Sequence, residues 1–269
     1  MLRDITIGQY YHTKSVIHDL DPRVKIVATL AFIIFLFMVN NFTGYVVAAV
    51  YLATIIYLSH VPPAFIFRGM KAIFMLLLIT VLFNVFLTPG EAIFSFWIFK
   101  ITKEGLIMAS RMAIRLIFLI TGSTILTLTT TPNQLTDGLE MLLNPLKKLR
   151  IPVHEIAMMM AIALRFIPIL MEETDKIMKA QMARGADFET GGMIQKAKNL
   201  VPILVPLFIS AFRRANDLAM AMEARCYHGG DGRTRMKPLI YKRHDFAAYI
   251  VLMLFMITMV ICGRMDIFF

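Results

Sequence analysis

The sequence predicts an all-α integral membrane protein with about five transmembrane helices. Long amphipathic helices on the cytoplasmic side would join the fourth span to the fifth. Three observations carry this expectation. The 269-residue chain is 58% hydrophobic, against about 45–50% for a soluble domain. Its apolar residues fall into five long runs. Its net charge of +10 is concentrated, although charged residues are only 17% of the chain.

The first run, Ile26 to Val39, follows Asp21-Pro22, a helix start with proline in the first turn, and ends at Asn40-Asn41. The second spans Phe42 to Leu58 and stops at Pro62-Pro63; the third spans Ala72 to Leu87 and stops at Pro89-Gly90. The fourth, Leu106 to Thr131, stops at Pro132, and the fifth runs from Phe246 to Gly263. Spanning takes about 20 apolar residues, with a lower limit near 17. Ala92 to Phe99 is too short, and reads as an interfacial or re-entrant piece anchored by Trp97.

Arg3, Lys14, Arg23 and Lys25 precede the first run, no Lys or Arg separates the first two, and seventeen lie between Pro132 and His244. Lys and Arg are retained inside, so the N-terminus and the long segment are expected in the cytoplasm and the C-terminus outside. Lys100 and Lys103 would then lie outside, against the trend. Arg111 and Arg115 would sit in the outer part of the fourth span, with no partner legible in the sequence. The chain divides into 1-131 (N-terminal segment and spans one to four), 132-244 (cytoplasmic helices) and 245-269 (last span).

Within 132-244, Val153 to Leu170 reads as a Met-, Ala-, Ile- and Leu-rich helix interrupted by Pro168. It continues in charged form to Ala183, with Glu172–Lys176 and Asp175–Lys179 as i,i+4 pairs. Gly185 stops it. A second helix, Met193 to Arg225, contains Pro202 and Pro206, which should kink or divide it. Both are too apolar to stand alone in water and too charged for ordinary spans, so they are expected to lie along the membrane surface. Arg165 sits in an apolar stretch, where it pairs within the protein or snorkels. Met158-Met159-Met160 suits either an adaptable docking surface or ordinary packing.

Several function classes fall away. There is no phosphate-binding loop, and His154-Glu155 lacks the second histidine of a zinc protease, since Met158 stands there. Spans one, two, three and five carry no acidic residue, which argues against an ion-coupled pump. Cys226 and Cys262 form neither a disulfide framework nor a metal-ligand spacing.

Two short segments stand out: Ala183-Arg184-Gly185 ends the first cytoplasmic helix and Ala224-Arg225-Cys226 the second. Small residues nearby (Ala180, Ala219 and Ala221) would let each end enter a groove, where arginine makes a charge-assisted, bidentate contact. The plain alternative is a pair of solvated helix-terminal cations favoured by the helix dipole.

In order, the chain carries Leu20-Asp21-Pro22-Arg23, Thr130-Thr131-Pro132, Leu164-Arg165-Phe166-Ile167-Pro168, Glu172, Ala183-Arg184-Gly185 and Ala224-Arg225. This series resembles the transmembrane T component of energy-coupling factor (ECF) vitamin transporters. Cys226 departs from the glycine usual there, and cysteine resists the positive φ that glycine allows. The resemblance implies a non-catalytic scaffold with two ATP-binding-cassette (ABC) ATPases, a homo- or heterodimer, one at each arginine signature. A small membrane S component would capture the vitamin and dock on the apolar face of the coupling helices. The chain would bind no cofactor itself, ATP and Mg being held by the ATPases, and no nucleic acid. A permease subunit of a conventional ABC importer is the alternative; it would normally carry one coupling loop per chain.

Overall fold

A computed structural model describes residues 10–39, 41–96, 99–186, 192–230 and 238–264. The chain is helical: α1 (Val16–Asp19), α2 (Pro22–Met38), α3 (Phe42–Ser59), α4 (Pro63–Leu87), α5 (Lys103–Thr129), α6 (Pro132–Leu143), α7 (Val153–Ala183), α8 (Met193–Ala224) and α9 (Arg243–Arg264). Among the described residues, four helices are long and apolar enough to cross a membrane: α3, α5, α7 and α9 through Gly263. The α4 segments Pro63–Lys71 and Ile73–Leu87, bent by 62°, make a fifth if they form one broken span. At 17 residues, α2 sits at the lower limit for spanning.

The apolar stretch after α4 forms a short antiparallel hairpin, β1 (Ala92–Phe96) with β2 (Phe99–Thr102). Periodicity cannot separate a strand from a helix in so short a run. The proposed anchor Trp97 lies outside the described residues.

The chain forms two compact units. The membrane unit comprises Gly8–Met141 and Leu239–Phe269; Leu142–Pro238 carries α7 and α8. The core of the membrane unit is built from Phe32 and Leu36 of α2, Tyr45, Ala48 and Leu52 of α3, Ile125 of α5, and Leu252, Phe255 and Met259 of α9. Tyr51 stacks on Phe255 with ring centroids 4.2 Å apart. Elsewhere its helices expose large apolar side chains, Phe67, Phe74, Leu82 and Phe83 on α4 among them, as lipid-facing helices must.

The helix starts follow local chemistry. Asp21 caps α2, taking the backbone N–H of Arg23 at 2.9 Å, with Pro22 in the first turn. Thr131 and Gln134 form a capping box at the start of α6, Thr131 N–H donating to Gln134 Oε1 at 3.1 Å and Gln134 N–H to Thr131 Oγ1 at 3.3 Å. Thr130-Thr131-Pro132 is thus a helix stop followed at once by a helix start.

Arg115 now has an account. Its Nη2 donates to the Val39 carbonyl at 3.0 Å and to the Tyr45 hydroxyl at 3.1 Å. Val39 is the C-cap of α2, so the guanidinium sits where the helix dipole favours a cation. It ties α5 to α2 and α3. Arg111, one turn earlier, is exposed.

A polar junction closes the end of this unit where α2 and α9 begin and α5 ends. Asp21 and Arg23 form a bidentate pair, Nε to Oδ1 at 3.0 Å and Nη2 to Oδ2 at 2.8 Å. The Arg23 guanidinium also lies 3.8 Å from the Tyr241 ring centroid and reaches the Leu239 carbonyl at 3.2 Å. Asp245, 1% exposed, accepts the backbone N–H groups of Asp21 at 2.8 Å and Lys242 at 2.7 Å. Buried Lys25 donates to the carbonyls of His18 at 3.0 Å and Thr129 at 2.9 Å, the second at the C-terminus of α5. Burial works to raise the Asp21 pKa, but the Arg23 bonds outweigh it and carry the carboxyl below its usual range. Burial also lowers the His18 pKa.

Candidate functional site

The two arginine signatures close α7 and α8 in the same way. In α7, Arg184 is the C-cap and Gly185 takes φ +87°. Gly185 N–H donates to the Met182 carbonyl and Ala186 N–H to the Gln181 carbonyl, both at 3.0 Å. These are the paired bonds of a Schellman ending. In α8, Arg225 is the C-cap, and Cys226 N–H donates to Glu223 at 2.8 Å and Tyr227 N–H to Met222 at 3.1 Å. Cys226 takes φ +55°, so the backbone is the one glycine gives α7, at the steric cost of a side chain.

Ala183, Arg184, Gly185, Ala224, Arg225 and Cys226 are all exposed. Among the described residues, neither arginine makes an ion pair or a side-chain hydrogen bond. Each helix end therefore presents a guanidinium with its donors toward solvent.

The helices run antiparallel. Gln181 near the end of α7 meets Pro202 near the start of α8, with Gln181 Nε2 3.4 Å from the Pro202 carbonyl. That carbonyl is open because Pro206 has no N–H to donate to it. Midway, Glu173 accepts from Ser210 Oγ at 2.5 Å and from Arg214 Nη2 at 2.7 Å. At the other end, the Tyr227 hydroxyl of the segment after α8 lies 3.5 Å from Nε2 of His154 in the first turn of α7. A Cβ on Gly230 would collide with that His154 ring, so the chain after α8 passes close against the start of α7. Arg184 and Arg225 consequently sit at opposite ends of the pair. The thirty residues from His154 to Arg184 correspond to about 45 Å of helix at 1.5 Å rise per residue.

Ile162, Phe166 and Leu170 of α7 face Ala211, Ala215, Leu218, Ala219 and Met222 of α8 across the seam. The alanines recur every fourth residue, which brings one face of α8 close to α7. Ala219 lines this seam. Leu204, Val205, Phe208 and Phe212 of α8 are apolar and exposed.

Other expectations resolve unevenly. Arg165 is exposed and has no ion pair among the described residues, so internal pairing is not seen there. Pro168 lies inside the continuous helix α7, and Glu172 is exposed. Neither Glu172–Lys176 nor Asp175–Lys179 forms an ion pair among the described residues. The neighbouring Glu173 faces α8 and makes the cross-helix contact. Sequence reasoning passed over Glu173, Ser210, Arg214 and Gln181, because helix spacing cannot tell which acid faces the partner helix. The polar residue Ser210 inside an apolar run was the available signal.

Relatives decide the family. A family model described as cobalt transport protein (CbiQ) matches residues 13–237. The energy-coupling factor transporter transmembrane protein EcfT of Clostridium kluyveri is 60% identical over 250 residues, covering 92% of this chain and 93% of that one. The chain belongs to the ECF T components. The Bacillus subtilis protein of the same description is 47% identical over 253 residues, 94% of this chain and 96% of its own. That of Lactococcus lactis subsp. cremoris is 42% identical over 266 residues, 98% and 100% respectively. As an ECF T component the chain is a multi-pass membrane subunit of a transporter. The ordered motifs of that resemblance now have places in it: Leu20-Asp21-Pro22-Arg23 in the polar junction, Thr130-Thr131-Pro132 at the α5–α6 joint, and the two arginine signatures on matching helix ends.

Proposed function

We propose that this T component transmits ATP binding and hydrolysis, by two ABC ATPases bound one at each arginine signature, to a separate S component that carries a vitamin or other micronutrient. The observation that carries the reading is the pair of matching helix ends. Each presents an exposed guanidinium, and they lie at opposite ends of one antiparallel helix pair. A single chain with two equivalent contact points suits two ATPases, whereas a conventional permease supplies one coupling loop per chain. The exposed apolar face of α8, with Phe208 65% and Phe212 56% exposed, is the surface for the S component. The chain itself is non-catalytic and binds no cofactor; ATP and Mg belong to the ATPases. In this reading residues 132-244 and the N-terminus face the cytoplasm, which their Lys and Arg content supports. Arg165, Pro168 and Glu172 are coupling or structural residues on α7, which at 31 residues is longer than a bilayer core demands.

The test is the double variant Arg184→Ala, Arg225→Ala, co-expressed with the ATPases and an S component. Losing a helix-terminal cation costs the fold about 0.3–1 kcal/mol. Removing one member of a desolvated pair at an interface costs about 2–5 kcal/mol. Expression should therefore hold while ATPase association and uptake collapse, each single variant losing less. A double variant that retains both ATPases and transports at the wild-type rate overturns the reading.

A further inference from the structure

The membrane unit contains an apolar groove of about 260 Å³, lined by residues of α1, α2, α3, α5 and α9. Its floor is Phe32, Leu52, Gly122 and Ile125, all buried, and its rim is exposed at Thr54 and Leu58 of α3 and at His244, Ala247 and Val251 of α9. The groove thus opens sideways between α3 and α9. Along α2 it runs from Val24 to Phe32, about 12 Å at helix rise, which fits within one leaflet of a bilayer whose hydrocarbon is about 30 Å thick.

Two features select an occupant. Thr29, Thr54 and Thr129 line the groove, yet each hydroxyl donates to a carbonyl of its own helix, at 2.9, 2.8 and 2.8 Å. These positions therefore present methyl groups. At one end the lining changes to Lys25 and His244. There, at the start of α9, Lys242, Arg243 and His244 are consecutive and exposed, while the following acid, Asp245, is buried and spends its carboxylate on backbone N–H groups. A lateral apolar slot with a basic mouth matches one molecule: a phospholipid with an anionic headgroup.

We infer that this groove binds one acyl chain of an anionic phospholipid, its headgroup held at Lys242, Arg243 and His244. Lipid tails are as apolar as the groove, so retention comes from packing and from the headgroup charge. The full chain, purified in detergent and given phosphatidylglycerol or phosphatidylcholine of identical acyl composition, would be examined by native mass spectrometry. One phosphatidylglycerol should stay bound per chain. Lys242→Gln with Arg243→Gln should lower the preference over phosphatidylcholine by roughly fivefold per charge removed. Ala247→Phe, which fills the slot from its exposed rim, should lower retention of both lipids. Should that variant fail to fold, the wild-type chain serves with phosphatidylglycerol carrying a photoreactive acyl chain, which should label α3 and α9 between 51–58 and 244–251. The inference falls if no lipid is retained, if Ala247→Phe retains it as well as wild type does, or if the label maps elsewhere. It falls too if, in the assembled transporter, a partner protein's helix excludes the label from the groove.

Discussion

The charged residues of the membrane-unit junction and those at the helix tips use the same side chains to opposite ends. Asp21, Arg23, Lys25 and Asp245 turn their hydrogen-bonding groups inward, to each other and to the backbone around them. Arg184 and Arg225 are exposed and have no ion pair among the described residues. A charge satisfied within its own chain holds a fold, while one left toward solvent on a rigid helix end is free to engage another molecule. Residue type does not separate the two cases; burial and partners do.

The strongest way to break the comparison is Asp245→Ala. It strands the N–H groups of Asp21 and Lys242, at about 1–3 kcal/mol each, and takes away one of the three carboxylates near buried Lys25. Yield and thermal stability in detergent should fall sharply, unlike the arginine variants. Equal stability would place the junction among the dispensable surface charges. Gly185→Ala is next. A Cβ there meets no atom within 4 Å, so only backbone strain counts, about 1–2 kcal/mol, and the loss should appear in the α7 tip and, under the proposed function, in ATPase affinity rather than in the membrane unit. Hydrogen exchange at Gly185 and Ala186 reads it directly.

Acid should act on the junction. The folded pKa values of Asp21 and His18 are both depressed. In each case the unfolded chain takes up the proton first as pH falls. Stability should be full above the ordinary His value, decline once pH drops below it, and decline again through the carboxylate range. A melting series in detergent checks the first step, which His18→Gln should remove. The smallest effect is Cys226→Gly. It relieves the αL strain at φ +55° while adding chain entropy, for a net gain of about 0.5 kcal/mol, seen as slower exchange at Tyr227. A loss instead would mean that the thiol has a task of its own.

Much of this fold was legible because its signals are local. The five apolar runs lie within α2, α3, α4, α5 and α9 (the first running one residue past α2 and the fourth two past α5), Pro22, Pro63 and Pro132 mark helix starts, and both arginine signatures end helices as their sequence suggests. What escaped depends on distance along the chain. Arg115 finds Val39 and Tyr45 at separations of 76 and 70 residues, and no periodicity announces such a partner. Glu173 rather than Glu172 meets α8, a choice made by helix phase relative to a neighbour. Ala92 to Phe99 is compatible with a strand or a re-entrant turn until its pairing is known. At the candidate site, the residue types were readable while the backbone at Cys226 was not, since its positive φ follows from the hydrogen bonds of the helix end.

The hydrogen bond from Asp21 to Asp245 also has a consequence for how the protein is made. Its partners are 224 residues apart, and at about 5–20 residues per second the ribosome needs roughly 10–45 s to get from one to the other. During that interval α2 has been made with its capping residue's own N–H unanswered. The bundle cannot lock until α9 arrives, so this late-synthesised helix acts as the clasp, and a chain released before it would be left open at this end for quality-control proteases to find.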